Sequence, residues 1–167
     1  MIALQLIDVK DCMHKLLLAD TFDNFSIIDG SITTFATFTF DGYIHKNYYN
    51  TDEQELAKIS DREFASWGDI REYCFTIIKG KNTPLSFKFV LSLSKENTRK
   101  LLERDLPAIS PDTIQGLYMN FQYEDGKLEC ITGTSTKVFT MDKTLDHLWD
   151  DITMKYLKQK EIIYEKL

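Results

Sequence analysis

Residues 84–106 read PLSFKFVLSLSKENTRKLLERDL, and the change of period inside them decides the fold. Leu85, Phe87, Phe89, Leu91 and Leu93 alternate with Ser86, Lys88, Ser92 and Ser94, and only Val90 breaks the pattern. A period of two is that of a strand with one buried face. From Ser94 onward the spacing becomes helical, with Thr98, Leu101, Leu102 and Leu106 on one side. A serine hydroxyl accepts a hydrogen bond from the first turn of a helix, so Ser94 marks the start. The stretch is a half-buried strand that hands over directly to an amphipathic helix.

Downstream, 114–123, 127–132 and 136–141 read as three strands, the first two joined by Asp125-Gly126. That dipeptide favours the positive backbone angles of a tight hairpin turn. A last helix over 142–160 carries Leu145, Leu148, Trp149, Ile152 and Tyr156 on one face. Upstream, the order is the same. Residues 2–7 alternate as a strand, and Asp8 caps a helix over 8–19 with Val9, Cys12, Met13, Leu16 and Leu17 as its stripe. Residues 25–49, rich in Ile, Thr, Phe and Tyr, are predicted as strands with a hairpin turn at Asp41-Gly42; Asp29-Gly30 is a turn or a bulge. A helical turn is predicted at 52–59. A helix then follows on Trp67, Ile70, Cys74, Ile77 and Ile78, with Gly80 at its C-terminal end.

The two runs keep step. Leu16-Leu17 precedes Leu101-Leu102 by 85 residues, Asp8 precedes Ser94 by 86, and Asp41-Gly42 precedes Asp125-Gly126 by 84. Three landmarks within two residues of one offset suggest an internal duplication. The expected fold is therefore α+β: two β-α-β-β-β units related by a pseudo-two-fold axis, with additional helices after each unit. One domain spans 1–167, with halves 1–80 and 81–167.

Composition agrees with a single globular domain. Of 167 residues 43% are hydrophobic and 13% aromatic, with 26 Asp+Glu against 20 Lys+Arg and a net charge of −6. The longest uncharged stretches, 30–40 and 113–123, are eleven residues each, against the roughly 20 apolar residues a spanning helix needs. The opening residues carry no basic segment ahead of an apolar run, so neither a secretory leader nor a membrane partner is expected. Cys12, Cys74 and Cys130 lie among apolar neighbours with no Cys-x-x-Cys pair, the pattern of buried free thiols in the cytoplasm.

The element order resembles a single domain of the DNA sliding clamps and related polymerase processivity factors, over residues 1–49 and 84–141. In that family two such units meet across a pseudo-two-fold axis with paired helices on the inner face; the helical segments 50–80 and 142–160 depart from it. The saddle of the TATA-binding protein is also similar, since each of its halves closes with a long helix. The stretches TFDNFSIIDGSITTFATFTFDG and GLYMNFQYEDGKLECITGTSTKVFTMDK look like those of a small family of uncharacterised proteins from clostridia and related gut bacteria.

The clamp resemblance implies a nucleic-acid contact on the helix faces, where Lys10, His14, Lys95 and Arg99 form the candidate binding set. Residues 8–20 and 94–105 together carry no net charge, too little for the many phosphate contacts of strong binding. No catalytic set is expected. The three histidines, His14, His45 and His147, stand on separate elements, without a second ligand at metal spacing. Asp142, Asp146, Asp150 and Asp151 form a carboxylate row on the last helix, and capping explains Asp142 and Asp146 without a metal. The run 131–137, ITGTSTK, lacks the spacing of a phosphate loop and reads as a Thr- and Gly-rich strand connection. Within 33–40, Phe38 and Phe40 share a face, and an exposed aromatic there would be a contact surface.

The expectation is a cytoplasmic, non-enzymatic binding or assembly module without metal or cofactor. Its partner would be a protein or peptide at a sheet edge, a weakly bound nucleic acid at the helix face, or a second copy of the chain. The alternative is a small enzyme or ligand-binding protein with its site at the interface of the two halves.

Overall fold

The alternation of residues 86–92 is realised as a strand that buries Phe87, Phe89 and Leu91 and leaves Lys88 in solvent. This strand is the third in a single sheet. The computed structural model describes residues 1–49, Asp52 and residues 62–167. The elements run β1 (Ala3–Leu6), α1 (Val9–Leu17), β2 (Ser26–Thr33), β3 (Thr37–Asp41), α2 (Trp67–Ile78), β4 (Ser86–Ser92), α3 (Lys95–Asp105), β5 (Ile114–Glu124), β6 (Lys127–Thr136), α4 (Thr144–Gln159) and β7 (Tyr164–Lys166). The helical turn predicted at 52–59 lies outside the described residues, apart from Asp52.

The seven strands form one antiparallel sheet in the order β3-β2-β4-β5-β6-β1-β7. Ile27, Ile32, Phe87, Phe89, Leu91, Met119, Phe121, Leu128, Cys130, Leu4 and Leu6 line its inner face. They form one buried cluster with the apolar stripes of the four helices among the described residues. Ring contacts tie the layers together: Trp67 of α2 lies 4.9 Å from Phe89, and Phe22 meets Phe121 edge-on at 5.0 Å. This is a two-layer α/β arrangement with the four described helices on one side of the sheet.

Local chemistry places the elements. The Asp8 carboxylate accepts from the Asp11 N–H and the Ser94 hydroxyl from the Asn97 N–H, so both predicted caps are present. Asp125 and Gly126 adopt φ of 51° and 75°, and β5 and β6 are joined by the expected tight turn. The two indole N–H groups, buried in the core, both donate to backbone: Trp67 to the Leu16 carbonyl at 2.7 Å and Trp149 to the Tyr118 carbonyl at 2.8 Å. Arg71, one turn beyond Trp67, binds Asp23 through both carboxylate oxygens at 2.7 and 3.2 Å and also donates to the Leu17 carbonyl. The C-terminal end of α1 is thus tied to α2.

Three expectations are corrected. The halves do not pack equivalently: β4 pairs with β5, but β1 pairs with β6 and β7 and not with β2. The pseudo-two-fold arrangement therefore gives way to one continuous sheet, whose order depends on contacts far apart in the chain. The β2–β3 hairpin turns at residues 34–36, not at Asp41-Gly42, because Ile32 must oppose Phe38 and Gly30 must oppose Phe40 for both strands to bury one face. Gly42 serves a different need: a Cβ there would stand 1.8 Å from the Ile27 carbonyl oxygen. Residues 136–141 are not a separate strand. β6 runs on to Thr136, where its partner ends, and the chain beyond leaves the sheet after Lys137 donates to the Thr113 carbonyl.

Candidate functional site

Among the described residues no helix stripe covers the outer face of the sheet, which is built of polar rows. One row crosses all seven strands: Thr39, Ser31, Lys88, Gln122, Glu129, Gln5 and Glu165 stand in register. Ser31, Ser86, Lys88, Gln122, Glu124 and Lys127 line a shallow depression of about 420 Å³ on this side, spanning β2 to β6. The charge of the face is acidic. Asp29, Asp41, Glu124, Glu129 and Glu165 outnumber Lys88 and Lys127, so a polyanion meets net repulsion there. At one end Tyr118 sits in register with Ser92 and Gly133; burial, and secondarily the nearby Glu63, push its hydroxyl above the ordinary tyrosine value.

The two lateral edges of the sheet are β3 and β7. At β3, Thr34 N–H donates to the Ala36 carbonyl at 2.9 Å and Gly42 N–H donates to the Ile28 carbonyl at 2.8 Å. These bonds close the hairpin ladder at both ends and set its alternation, so Phe38 and Phe40 bond toward β2. The backbone N–H and C=O groups of Thr37, Thr39 and Asp41 then point away from the sheet, and β3 pairs with no other strand among the described residues. Thr33 and Thr37 hydroxyls share a hydrogen bond of 3.0 Å beside the turn. Phe35 at its tip is 94% exposed and contacts the ring of Phe38, which is 37% exposed. Phe40 lies inward over Gly30 and reaches Phe89, a position a Cβ at Gly30 would contest at 2.4 Å.

A second exposed apolar group, Val138, Phe139 and Met141, occupies the segment between β6 and α4. Its alternation suggests a strand, but among the described residues it pairs with none, and those side chains face solvent.

The candidate helix-face residues divide between two helices. Lys10 and His14 are exposed one turn apart on α1, while Lys95 and Arg99 are exposed one turn apart on α3. The helix that packs on α1 is α2, and Lys95 is paired with Glu63 at 3.3 Å. The clamp pattern of adjacent inner helices is therefore not what brings these four residues to the surface.

The carboxylate row on α4 is distributed by the sheet beneath it. Asp142 stands one residue ahead of the N-cap position, Lys143, and accepts from the Thr144 N–H at 3.0 Å and from its hydroxyl at 2.6 Å. Asp150 accepts from the Thr132 hydroxyl and lies 3.3 Å from the Met1 ammonium. Asp146 accepts from the Thr134 hydroxyl and pairs with Lys143 at 3.3 Å. Partial burial alone would raise the Asp146 carboxyl, but these two partners outweigh it and hold it below the ordinary carboxylate value. Asp146 is thus a docking residue and not the cap that its position suggested. The Thr-rich run 131–137 is the strand β6 through Thr136, not a connection, and its Thr132 and Thr134 receive α4.

Burial raises all three thiols, Cys12 to about 11 and Cys74 and Cys130 to about 12, so they remain protonated at neutral pH. Among the described residues no group of three or more His, Cys, Asp or Glu side chains converges as a metal site. No helix among them is long and apolar enough to cross a membrane.

The fold and its surfaces define a two-layer α/β protein with one polar sheet face and, among the described residues, one unpaired edge at β3. The chain belongs to a family of unknown function, DUF5721, whose model matches residues 15–165. No curated protein and no solved structure matches it.

Proposed function

We propose that this chain is a cytoplasmic binding module that takes up an extended polypeptide segment as an eighth strand beside β3. The observation that carries the reading is the outward row of backbone groups at Thr37, Thr39 and Asp41, next to the exposed rings of Phe35 and Phe38. Main-chain bonds to a sheet edge give affinity, and alternate side-chain contacts give selectivity. From Gly30 to Phe40 the chain bears no charge that would repel an incoming strand. A noncatalytic role accords with thiols buried out of reach and with carboxylates engaged in capping and docking. Three free buried cysteines suit a reducing compartment.

A displayed library of random heptapeptides tests this. Selected peptides are expected to alternate β-branched and aromatic residues and to lose at least about tenfold in affinity on Thr39→Pro, which removes one outward donor. Failure to select any binder, or binding indifferent to Thr39→Pro in a folded protein, overturns the reading.

A second reading is weak nucleic-acid contact through α1 and α3. It is favoured by the exposure of Lys10, His14, Lys95 and Arg99 and opposed by the Lys95–Glu63 pair. A salt titration with double-stranded DNA decides it; no binding at about 50 mM salt removes it. The depression spanning β2 to β6 is the place where a small polar ligand would bind if the alternative of a ligand-binding protein held.

A further inference from the structure

We infer that the strand received by β3 is the β3 of a second copy of this chain, paired antiparallel about a two-fold axis through Thr39. The inference rests on the strand-addition reading and names its partner. Antiparallel pairing matches outward-facing residues with outward-facing residues, so two such edges slide past one another only in whole ladder steps. With Thr39 on the axis, Thr39 meets the partner's Thr39, and Thr37 meets the partner's Asp41. All three outward residues of each copy then find one another, giving about six backbone hydrogen bonds.

Neighbouring registers are worse. Sliding one way draws Asp41 toward the partner's Asp41, and like charges directly opposite are destabilising. The first step that way also engages Tyr43, whose N–H is already bound to the Asp41 carboxylate at 3.0 Å. Sliding the other way engages Phe35, which belongs to the turn and not to the strand.

Side chains agree with the axis that the backbone selects. Phe38 stands opposite the partner's Phe40, an aromatic cross-strand pair of the kind that stabilises sheets. The ring of Phe35, 94% exposed, falls level with the partner's Tyr43, which is 53% exposed. Thr37 presents a hydroxyl beside the partner's Asp41 carboxylate. A two-fold interface must be self-complementary, and this edge is so in backbone, charge and aromatic pattern. Natural edges of this length are usually guarded by lysine, proline or a covering loop; within Thr37–Asp41 the guard is a single aspartate at one end.

Sedimentation equilibrium over a wide concentration range, with hydrogen exchange at residues 37, 39 and 41, tests the proposal. The wild-type chain is expected to be a dimer with those amides protected, and Thr39→Val is expected to keep it. Thr39→Lys and Thr39→Glu each place like charges on the axis and are expected to weaken association by about a hundredfold. Mixing the two variants is expected to restore a mixed dimer. A dimer untouched by Thr39→Lys overturns the proposal, as does a wild type monomeric at several hundred micromolar. In that last case, a library-selected peptide that protects residues 37, 39 and 41 leaves strand addition standing, whereas no protection removes both readings.

Discussion

The two edges of the sheet are made differently. β7 is three residues long, carries Glu165 and Lys166, and lies against β1, whose Leu4 and Leu6 are completely buried. β3 is five residues long, has Asp41 as its one charge, and lies against β2 with aromatic rings at its tip. A short edge with two charges deters added strands, and a longer one with a single charge at its end invites them. Among the described residues the same sheet therefore has one closed side and one open side, and the difference lies in the length and charge of the edge strands.

The comparison is broken most severely from the closed side. Leu6→Ala removes a buried side chain between β6 and β7 and is expected to cost about 3 kcal/mol in chemical denaturation. On the open side, Gly42→Ala drives a methyl group against the Ile27 carbonyl and is expected to cost about 2 kcal/mol, with faster exchange along β3. Equal losses at the two positions, with no change in β3 exchange, would mean that Gly42 does not hold the open edge.

Acid sharpens the contrast, because the carboxylates that dock α4 lie toward the closed side. The folded Asp146 carboxyl is lowered relative to an unfolded chain, so its contribution is complete above the ordinary carboxylate pKa of about 4. That contribution disappears as pH falls through the lower folded value. Asp146→Asn is expected to cost about 1 kcal/mol at neutral pH and to flatten the loss of stability below about pH 4. A wild-type and variant profile of equal slope would remove Asp146 from the acid response. The smallest effect is expected from Lys166→Val at the closed edge, within about 0.5 kcal/mol in stability and with no gain in self-association.

The helices were legible because their signals are local. Asp8 and Ser94 act as caps, and the stripes on Trp67, Cys74, Leu101 and Trp149 are the buried ones. The Asp125-Gly126 turn was legible for the same reason. The β2–β3 turn was not, since Thr34, Phe35 and Ala36 carry no turn signature and Gly42 answers to a carbonyl fifteen residues away in the chain. Strand order was out of reach because β1 finds β6 and β7 across most of the sequence, so matched landmarks did not become matched halves. Of the functional surfaces, the uncharged Thr and Phe run pointed to β3. The exposure of Phe139 depends on where β5 begins, which no local pattern states.

The two indoles sit on different helices, Trp67 on α2 and Trp149 on α4, each with its N–H committed to a carbonyl. Their emission should therefore be blue-shifted in the native protein and move red as either site admits water. Single-tryptophan versions would make Trp67 an optical gauge of the α1–α2 flank and Trp149 one of α4 on the sheet. Coincident melting curves would then mark one cooperative unit, and separated curves would reveal that the flanks come apart in sequence.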